Sequence, residues 1–308
     1  MPAQQTRLMT LHALTFLHPG TGQSTGVVDL PIQREVHTGF PMIASSGIKG
    51  ALRERAEQEW HNELNKVCTI FGPKDSEAAA ALAITDARTL AFPVRSLQNV
   101  FVWITCPMVI KRLQRDLQLA GINLKEEECD LSGLGQVENA GDRAITPSDG
   151  LTGTLMLEEI KFTIQENNDN AAEVADAIAE LLRKLANEFD SKRLAVVSNE
   201  SFSYLVQHAT QVSARIALNE KKTTTGNGGN LWYEETLPPE TIMYSLLLAN
   251  EPRYKPDGTA IDSADKVVQE MDKLLNDKNI QLGGNETVGQ GWCGIKLAPS
   301  STLKGEPA

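Results

Sequence analysis

The segment VSARIALNEKKTTTGNGGNLWYEE, residues 212–235, decides the fold that we predict for this chain. Apolar and polar residues alternate from Val212 to Leu218, and a second β-rich run, Leu231 to Glu235, follows a tip of Lys, Thr, Gly and Asn. Alternation with a period of two is typical of a strand with one apolar face, and glycine-rich tips are typical of turns. The sequence therefore predicts a long β-hairpin over about residues 210–236.

Apolar residues at helical spacing predict helices elsewhere in the chain. These segments are Ser46–Leu64, Pro107–Leu119, Ala171–Phe189 and Val267–Leu275. Alternating or β-rich runs predict strands at 10–17, 92–105, 242–248 and 295–297. Strands and helices interleave without a regular βα repeat, and hairpins favour antiparallel pairing. We therefore expect an α+β protein of the ferredoxin-like kind, with helices on one face of an antiparallel sheet.

The composition is that of a globular protein with an acidic surface. The chain has 308 residues, 41% of them apolar, which is enough for a core in one elaborated domain or two small ones. Its net charge is −11, from 29 Lys and Arg against 40 Asp and Glu, so binding a polyanion would require a local basic strip. Residues 121–153 are rich in Gly, Asp, Glu and Ser and lack periodicity, which predicts an exposed insertion.

Neither the cysteines nor the apolar runs indicate export or a membrane. The four cysteines lie far apart without zinc-ligand spacing, so we expect reduced thiols at Cys68, Cys106, Cys129 and Cys293. The segment from Met1 to Pro19 does not have the pattern of a signal peptide. No segment approaches the ~18 consecutive apolar residues of a membrane span. We expect a cytoplasmic protein with no membrane partner.

The start of the first predicted helix carries cations. Ser45 and Ser46 are candidate capping residues, and Lys49 and Arg53 follow on one side of the helix. Cations oppose the helix dipole at this end, so their presence favours a bound anion such as phosphate, which the free backbone N–H groups would also attract. The alternative is a solvated basic face balanced by nearby glutamates.

A glycine-rich segment, GGNETVGQG at 283–291, lies between the last predicted helix and strand. Its glycines, Gly283, Gly284, Gly289 and Gly291, would let the backbone approach a phosphate closely. The segment lacks the spacing of a Walker loop, and an ordinary turn is the alternative.

The loop from His18 to Asp29 combines an imidazole with a carboxylate. In RNA cleavage the 2′-hydroxyl attacks the adjacent phosphate, which a base or a metal ion assists, and Asp29 is a candidate for base or metal ligand. By itself, a loop aspartate is more often a turn or capping residue. Tyr233 and Glu235 combine a stacking surface with a carboxylate, although such clusters also simply pack the base of a hairpin.

Several motifs together carry a resemblance that none carries alone. In chain order they are HPGTG at 18–22, GVVDLPIQRE at 26–35, TGFPMI at 38–43, SGIKGALR at 46–53, LWYEETLPPE at 231–240 and GGNETVGQG at 283–291. This series closely resembles the backbone subunit of Cmr-type (type III-B) CRISPR effector complexes, a repeat-associated mysterious protein (RAMP). The motifs span nearly the whole chain.

The resemblance implies one RAMP domain over residues 1–308. It would have an RRM-like palm, a fingers insertion near 121–153 and a β-hairpin thumb near 210–236. Copies would stack as a helical filament along a CRISPR guide RNA, together with other Cmr subunits. Each thumb would kink the duplex of guide and single-stranded target RNA, and target would be cut beside each kink with a divalent metal, Mg²⁺ or Mn²⁺. Base pairing with the guide would supply the sequence specificity.

The resemblance also implies roles for individual residues. The cutting aspartate corresponds to Asp29, with assistance from His18, Tyr233 or Glu235, and Asp29 is the tentative metal ligand. The guide would be held by the first helix and the glycine-rich segment, through Ser45, Ser46, Lys49, Arg53, Gly283, Gly284, Gly289 and Gly291. Two alternatives remain at this point: a scaffold subunit that binds guide and target without cutting, and a RAMP endonuclease that processes guide precursors.

Overall fold

A computed structural model of the chain describes residues 5–74, 78–120, 133–138, 141–165, 171–218, 220 and 231–299. The protein is α+β, as predicted, and most of its strands join one large sheet. The strands are β1 (Gln5–Ala13), β2 (Met42–Ile43), β3 (Leu82–Ile84), β4 (Ala87–Ser96), β5 (Val100–Thr105), β6 (Arg143–Ile145), β7 (Thr154–Leu157), β8 (Ile160–Ile164), β9 (Leu194–Val197), β10 (Gln211–Ile216), β11 (Leu231–Thr236), β12 (Ile242–Ala249), β13 (Lys278–Gln281) and β14 (Trp292–Pro299). The helices are α1 (Ser45–Glu59), α2 (Leu64–Phe71), α3 (Pro107–Leu119), α4 (Leu134–Glu138), α5 (Ala171–Leu185), α6 (Asn199–His208) and α7 (Ala264–Leu275).

One half of the sheet has the order β13-β14-β1-β12-β4, and all of these neighbours pair antiparallel. Leu8, Met9 and Leu11 of the central strand β1 are all buried, so both faces of the sheet are covered there. The amphipathic helix α7 covers one of them. No helix in the described ranges is long and apolar enough to cross a membrane.

The other half of the sheet closes into a ring. From β4 it passes through β5, β9, β6, β8 and β7, and a bridge between Ser96 and Leu157 returns it to β4. The expectation of an exposed insertion at 121–153 is wrong for part of that segment. Helix α4 buries Leu134 and Val137, and β6 pairs with both β8 and β9 inside the ring. Residues 121–132 and 139–140 lie outside the described part of the chain.

The predicted hairpin is confirmed. Among the strands given above, β10 and β11 pair only with each other and form a separate two-stranded sheet. Opposed residues of an antiparallel pair share a face, so Ala214 lies beside Tyr233 on one face, and Ser213 beside Glu234 on the other. Several apolar side chains on the Tyr233 face are exposed, namely Val212, Ile216 and Leu231. The predicted tip at 221–229 lies outside the described residues.

Several element boundaries differ from the prediction. The first strand ends at Ala13: Leu14 and Thr15 both donate to Trp292 O, which breaks the regular ladder, and Leu17 bonds to Leu237. The first helix ends at Glu59, and Leu64 begins a separate, unpredicted helix with its side chain exposed. The predicted buried stripe of that first helix is otherwise confirmed, and it comprises Ile48, Leu52, Ala56 and Trp60. The helix from Pro107 to Leu119 is confirmed at both ends.

Candidate functional site

Asp29 lies against the edge of β11 that faces away from β10. Because backbone groups alternate between the two edges of a strand, Tyr233 and Glu235 present their N–H and C=O groups to this same edge. The N–H of Leu30 donates to Tyr233 O at 3.0 Å, and Glu235 N–H donates to Leu30 O at 3.0 Å. Asp29 Oδ2 then accepts the Tyr233 N–H at 2.7 Å. The Asp29 carboxylate thus accepts the strand N–H that a backbone carbonyl would accept in a regular sheet. The strand therefore fixes the position of the carboxylate.

The second oxygen of Asp29 remains open. The side chain is partly exposed, and Oδ1 accepts no hydrogen bond from the residues that the structure describes. Asp29 therefore combines a capping role with a carboxylate oxygen that is available to a ligand.

His18 joins β11 to the glycine-rich segment. Its Nδ1 lies 2.7 Å from Glu235 O, and because a carbonyl only accepts, Nδ1 is the donor of this bond. The residue is 8% exposed, and its ring packs on Gly20, where a Cβ would lie 2.7 Å from Nε2. The His18 carbonyl accepts the Gly284 N–H at 2.9 Å. The structure thus brings the predicted helper and the predicted guide-binding segment into contact.

Glu235 is a buried anchor. It is 7% exposed, and three donors occupy its carboxylate. These are Arg34 Nη2 at 2.5 Å, Thr210 Oγ1 at 2.7 Å and Ile32 N–H at 3.1 Å. Arg34 also donates to the carbonyls of Gly39 and Val206, at 2.9 and 3.0 Å. With its oxygens occupied, Glu235 holds the loop after Asp29 to the base of the hairpin.

Tyr233 contributes its backbone and an exposed ring, whereas Glu235 contributes a buried carboxylate. Its backbone binds Asp29, while its side chain is 43% exposed on the open apolar face of the hairpin. An exposed aromatic ring on such a face is a surface on which a nucleobase can stack.

The expectation that Ser45 or Ser46 caps the first helix is wrong. The N-cap residue is Ala44, and no side chain of the N-cap bonds to the helix. Instead, Asp86 Oδ1 accepts the Ser45 N–H at 2.8 Å, so the capping carboxylate comes from a distant segment. Gln33 Oε1 accepts the Ala44 N–H at 2.7 Å, which ties the Asp29 loop to the same helix end.

Lys49 and Arg53 do not act as a pair. Arg53 bonds Glu57 at 3.0 Å and donates to Gly72 O at 2.8 Å, at the end of α2. Its hydrogen bond lowers the pKa of Glu57 below the usual range. Arg53 therefore joins two helices, whereas Lys49 makes no ion pair with any described residue.

The glycine-rich segment uses its glycines mainly for its own fold. Gly283 has φ 76°, and a Cβ there would lie 2.5 Å from His18 O. Gly291 has φ 86°, and its Cβ would collide with Leu282 O. Gly289 has φ 79° but faces open space. The left-handed backbone at all three sites, and the close contacts at Gly283 and Gly291, are enough to require glycine there without any bound ligand.

Asn285 is a residue that we did not predict. It adopts a left-handed conformation, and its carbonyl accepts the N–H groups of Val288 and Gln290 at 3.1 and 3.2 Å. Its side-chain amide donates to Gln290 Oε1 at 2.9 Å and to the buried carboxylate of Glu234. The adjacent glutamates of β11 thus bind different loops on opposite faces of the strand. The sequence offered one signal of this arrangement: Glu234 and Glu235 are consecutive in a predicted strand, and consecutive strand residues point to opposite faces.

Comparison with known proteins gives a consistent result. The model of the RAMP superfamily matches residues 10–294. The chain is 38% identical over 296 residues to the CRISPR system Cmr endoribonuclease Cmr4 of Pyrococcus furiosus, covering 94% of this chain and 95% of that protein.

Solved structures agree in fold over nearly the whole chain. Oligomeric Cmr4 from Pyrococcus furiosus superimposes with a TM-score of 0.70 at 29% identity, covering 96% of this chain and 98% of that one. A chain of the type III-B Cmr-beta complex bound to cognate target RNA superimposes with a TM-score of 0.76 at 21% identity, covering 98% and 100%. At that identity, the second likeness shows the fold alone.

Proposed function

The chain belongs to the RAMP superfamily, and from this premise we propose that it is the backbone subunit of a type III-B CRISPR effector complex. Copies assemble with other Cmr subunits as a helical filament on guide RNA and cut complementary target RNA at regular intervals. The likeness to the Pyrococcus furiosus Cmr endoribonuclease over nearly its full length supports the activity. The likeness to an oligomeric relative supports the self-assembly.

The named parts of the family fold belong to this proposal. The strand order β14-β1-β12-β4, with α1 after β1 and α7 after β12, suits the RRM-like palm, because this is the arrangement of a ferredoxin-like βαββαβ unit. The separate hairpin of β10 and β11 suits the thumb. Part of the segment assigned to the fingers, α4 and β6, packs into the ring of strands.

The observation that carries the proposal is the fixed carboxylate of Asp29 beside the hairpin. Cleavage by the 2′-hydroxyl requires that this oxygen attack the phosphorus in line with the leaving 5′-oxygen. A target strand lying along the edge of β11 would meet Asp29 Oδ1, which is open among the described residues. Acting as a base, Asp29 would take the proton of the attacking hydroxyl. Acting as a metal ligand, it would hold a cation at the scissile phosphate.

A divalent cation, Mg²⁺ or Mn²⁺, fits this site only if the RNA completes its coordination. Among the described residues, no group of three or more His, Cys, Asp or Glu side chains is arranged to hold a metal. Such cations are often bound by one or two carboxylates together with phosphate oxygens and water, and Asp29 can be that carboxylate. When bound, the ion would neutralise charge on the nonbridging oxygens.

The other predicted residues have supporting roles in this proposal. His18 and Glu235 position β11 and the Asp29 loop, since His18 Nδ1 bonds Glu235 O and both carboxylate oxygens of Glu235 bond protein donors. Tyr233 offers a stacking surface to a displaced base. Lys49 is the cation of α1 that remains available to the guide.

Reconstitution with a defined guide tests this proposal. Wild-type protein should give regularly spaced target cuts that require Mg²⁺, and Asp29→Ala should bind target normally without cutting it. Unchanged cutting by Asp29→Ala would contradict the nuclease assignment and favour the scaffold alternative. Cutting of guide precursors by the isolated chain, without ordered assembly on RNA, would favour the processing alternative.

A further inference from the structure

The second face of the hairpin carries an arginine that the proposed mechanism does not use. Arg215 of β10 shares this face with Ser213, Trp232 and Glu234, because Ser213 is opposed to Glu234 and Arg215 to Trp232. The face is directed toward the glycine-rich segment, as the hydrogen bond from Asn285 to Glu234 shows. Arg215 therefore lies on the face of the hairpin that meets the turn at Asn285.

The guanidinium of Arg215 is poorly bonded within the protein. Its one polar contact among the described residues is Nη2 to Glu234 Oε1, at 3.5 Å. Its Nε is buried and has no acceptor in the described part of the chain. A guanidinium carries five N–H donors, and buried donors are nearly always satisfied in folded proteins, so a missing acceptor calls for an explanation.

Arg34, at the base of the same hairpin, shows how this fold satisfies a structural arginine. It donates to a carboxylate and to two carbonyls, all within 3.0 Å. Arg215 differs because its side chain is 31% exposed and lacks comparable partners. The carboxylate of Glu234 is also shared with Asn285, so it holds the guanidinium in place without saturating its donors.

The chemistry of the missing partner is that of an oxyanion. Arginine presents parallel N–H groups that match two oxygens of one phosphate, and such charge-assisted bonds are stronger than neutral ones. RNA supplies phosphates at regular spacing, and the neighbouring glycine-rich segment is the part of the chain that we assign to the guide.

We propose that Arg215 binds a backbone phosphate of the guide RNA beside the turn at Asn285, with Glu234 as its positioning residue. The inference rests on the proposed function as a guide-binding subunit. The guide is favoured over the target because Arg215 lies on the face directed to the glycine-rich segment, whereas Asp29 lies at the edge of β11. In this arrangement the hairpin lies between the guide RNA, which is held, and the target RNA, which is cut.

The test is the salt dependence of guide binding by the assembled complex. Arg215→Gln should weaken guide affinity about tenfold, the loss of about one charged hydrogen bond. It should also lower the slope of log affinity against log salt by about 0.7, the contribution of one phosphate contact in a single strand. Arg215→Lys keeps the charge and should retain the slope. Arg183→Gln removes an arginine of α5 that bonds Glu180 at 2.6 Å, and it should change neither quantity.

Three results separate the possibilities. An unchanged slope in a folded Arg215→Gln protein overturns the inference. A slope that falls only for target binding to preloaded complexes assigns the phosphate to the target and also overturns it. Failure of the proposed function would appear in the wild type, as absent guide binding, or in Asp29→Ala, as unchanged target cleavage. Should Arg215→Gln fail to fold, the salt slopes of guide binding by Arg215→Lys and Arg215→Met are compared instead. A lower slope for Arg215→Met supports the inference, and equal slopes overturn it.

Discussion

Two adjacent glutamates of β11 hold the site together. Glu235 binds Arg34, Thr210 and Ile32 on one side, and Glu234 binds Asn285 and Arg215 on the other. Both carboxylates are buried, so their partners cannot be exchanged for water without cost. The loop assigned to cutting and the loop assigned to the guide are thus fixed to one strand.

Replacing Glu235 should loosen the cutting loop. In Glu235→Gln the partly buried guanidinium of Arg34 loses its counter-ion, and we expect a loss of about 2–4 kcal/mol in the free energy of unfolding, measured with urea. Target cutting should fall more than guide binding, because the proposed guide contact, Arg215, lies on the other face of the hairpin. Glu158→Gln is the control, since it breaks an exposed pair with Arg95 and should cost less than about 1 kcal/mol. Equal losses in the two variants would show that Glu235 is not an anchor.

Two glycines with nearly the same φ should differ in their tolerance of alanine. Gly283 and Gly289 have φ 76° and 79°, so alanine at either site costs about 1–2 kcal/mol from the left-handed backbone. At Gly283 the added Cβ also meets His18 O, so that variant should lose clearly more stability. Urea unfolding of both variants measures the difference. Equal destabilisation would mean that the contact with His18 is easily relieved.

At the scale of elements, the sequence predicted correctly those helices and strands that are specified by residues within the element itself. Pro107 fixes the start of α3, and the β-rich apolar run from Ile242 to Leu248 is enough to indicate β12, although the structure buries both of its faces. Partners distant in sequence account for the errors. Asp86 caps α1, and β6 gains its place only by pairing with β8 and β9. The short helix α2 has too few turns for its periodicity to be recognised.

In the candidate site, too, contacts between residues distant in sequence could not be predicted. The family resemblance pointed to Asp29 and Tyr233, but nothing in their spacing, 204 residues apart, indicates that the carboxylate of one binds the backbone of the other. Asn285 was missed because its left-handed conformation and its bond to Glu234 depend on how the hairpin meets the glycine-rich segment.

The packing of α7 against α2 should depend on pH. Burial pushes the pKa of Glu270 upward, but hydrogen bonds from Lys273 and Lys66 outweigh it, so the pKa is lowered from 4.5. A depressed pKa gives stability that is present above the unfolded value and is lost as pH falls through the folded value. Glu270→Gln should therefore be less stable than wild type at pH 7, and the difference should shrink below about pH 4.5. A difference that is constant from pH 7 to pH 3 would contradict this assignment.

At the scale of the whole molecule, the proposed function requires an acidic protein to hold RNA through a few placed cations. The net charge of −11 leaves no general attraction for nucleic acid, so under this proposal the affinity for RNA would depend on sites such as Lys49 and Arg215. The separate hairpin presents one face to the glycine-rich segment and leaves its apolar face open. This division suits a filament in which the guide is held throughout while target is cut beside each hairpin.

The most direct measurement is target cleavage by complexes assembled with Asp29→Asn. The asparagine carbonyl can still accept the Tyr233 N–H, so the loop stays in place while the charge is removed. Wild type should give a ladder of regularly spaced cuts, and Asp29→Asn should bind the same target with unchanged affinity and cut it at least about 100-fold more slowly. A ladder of equal rate and spacing from Asp29→Asn would contradict the assignment of Asp29 to the cutting step.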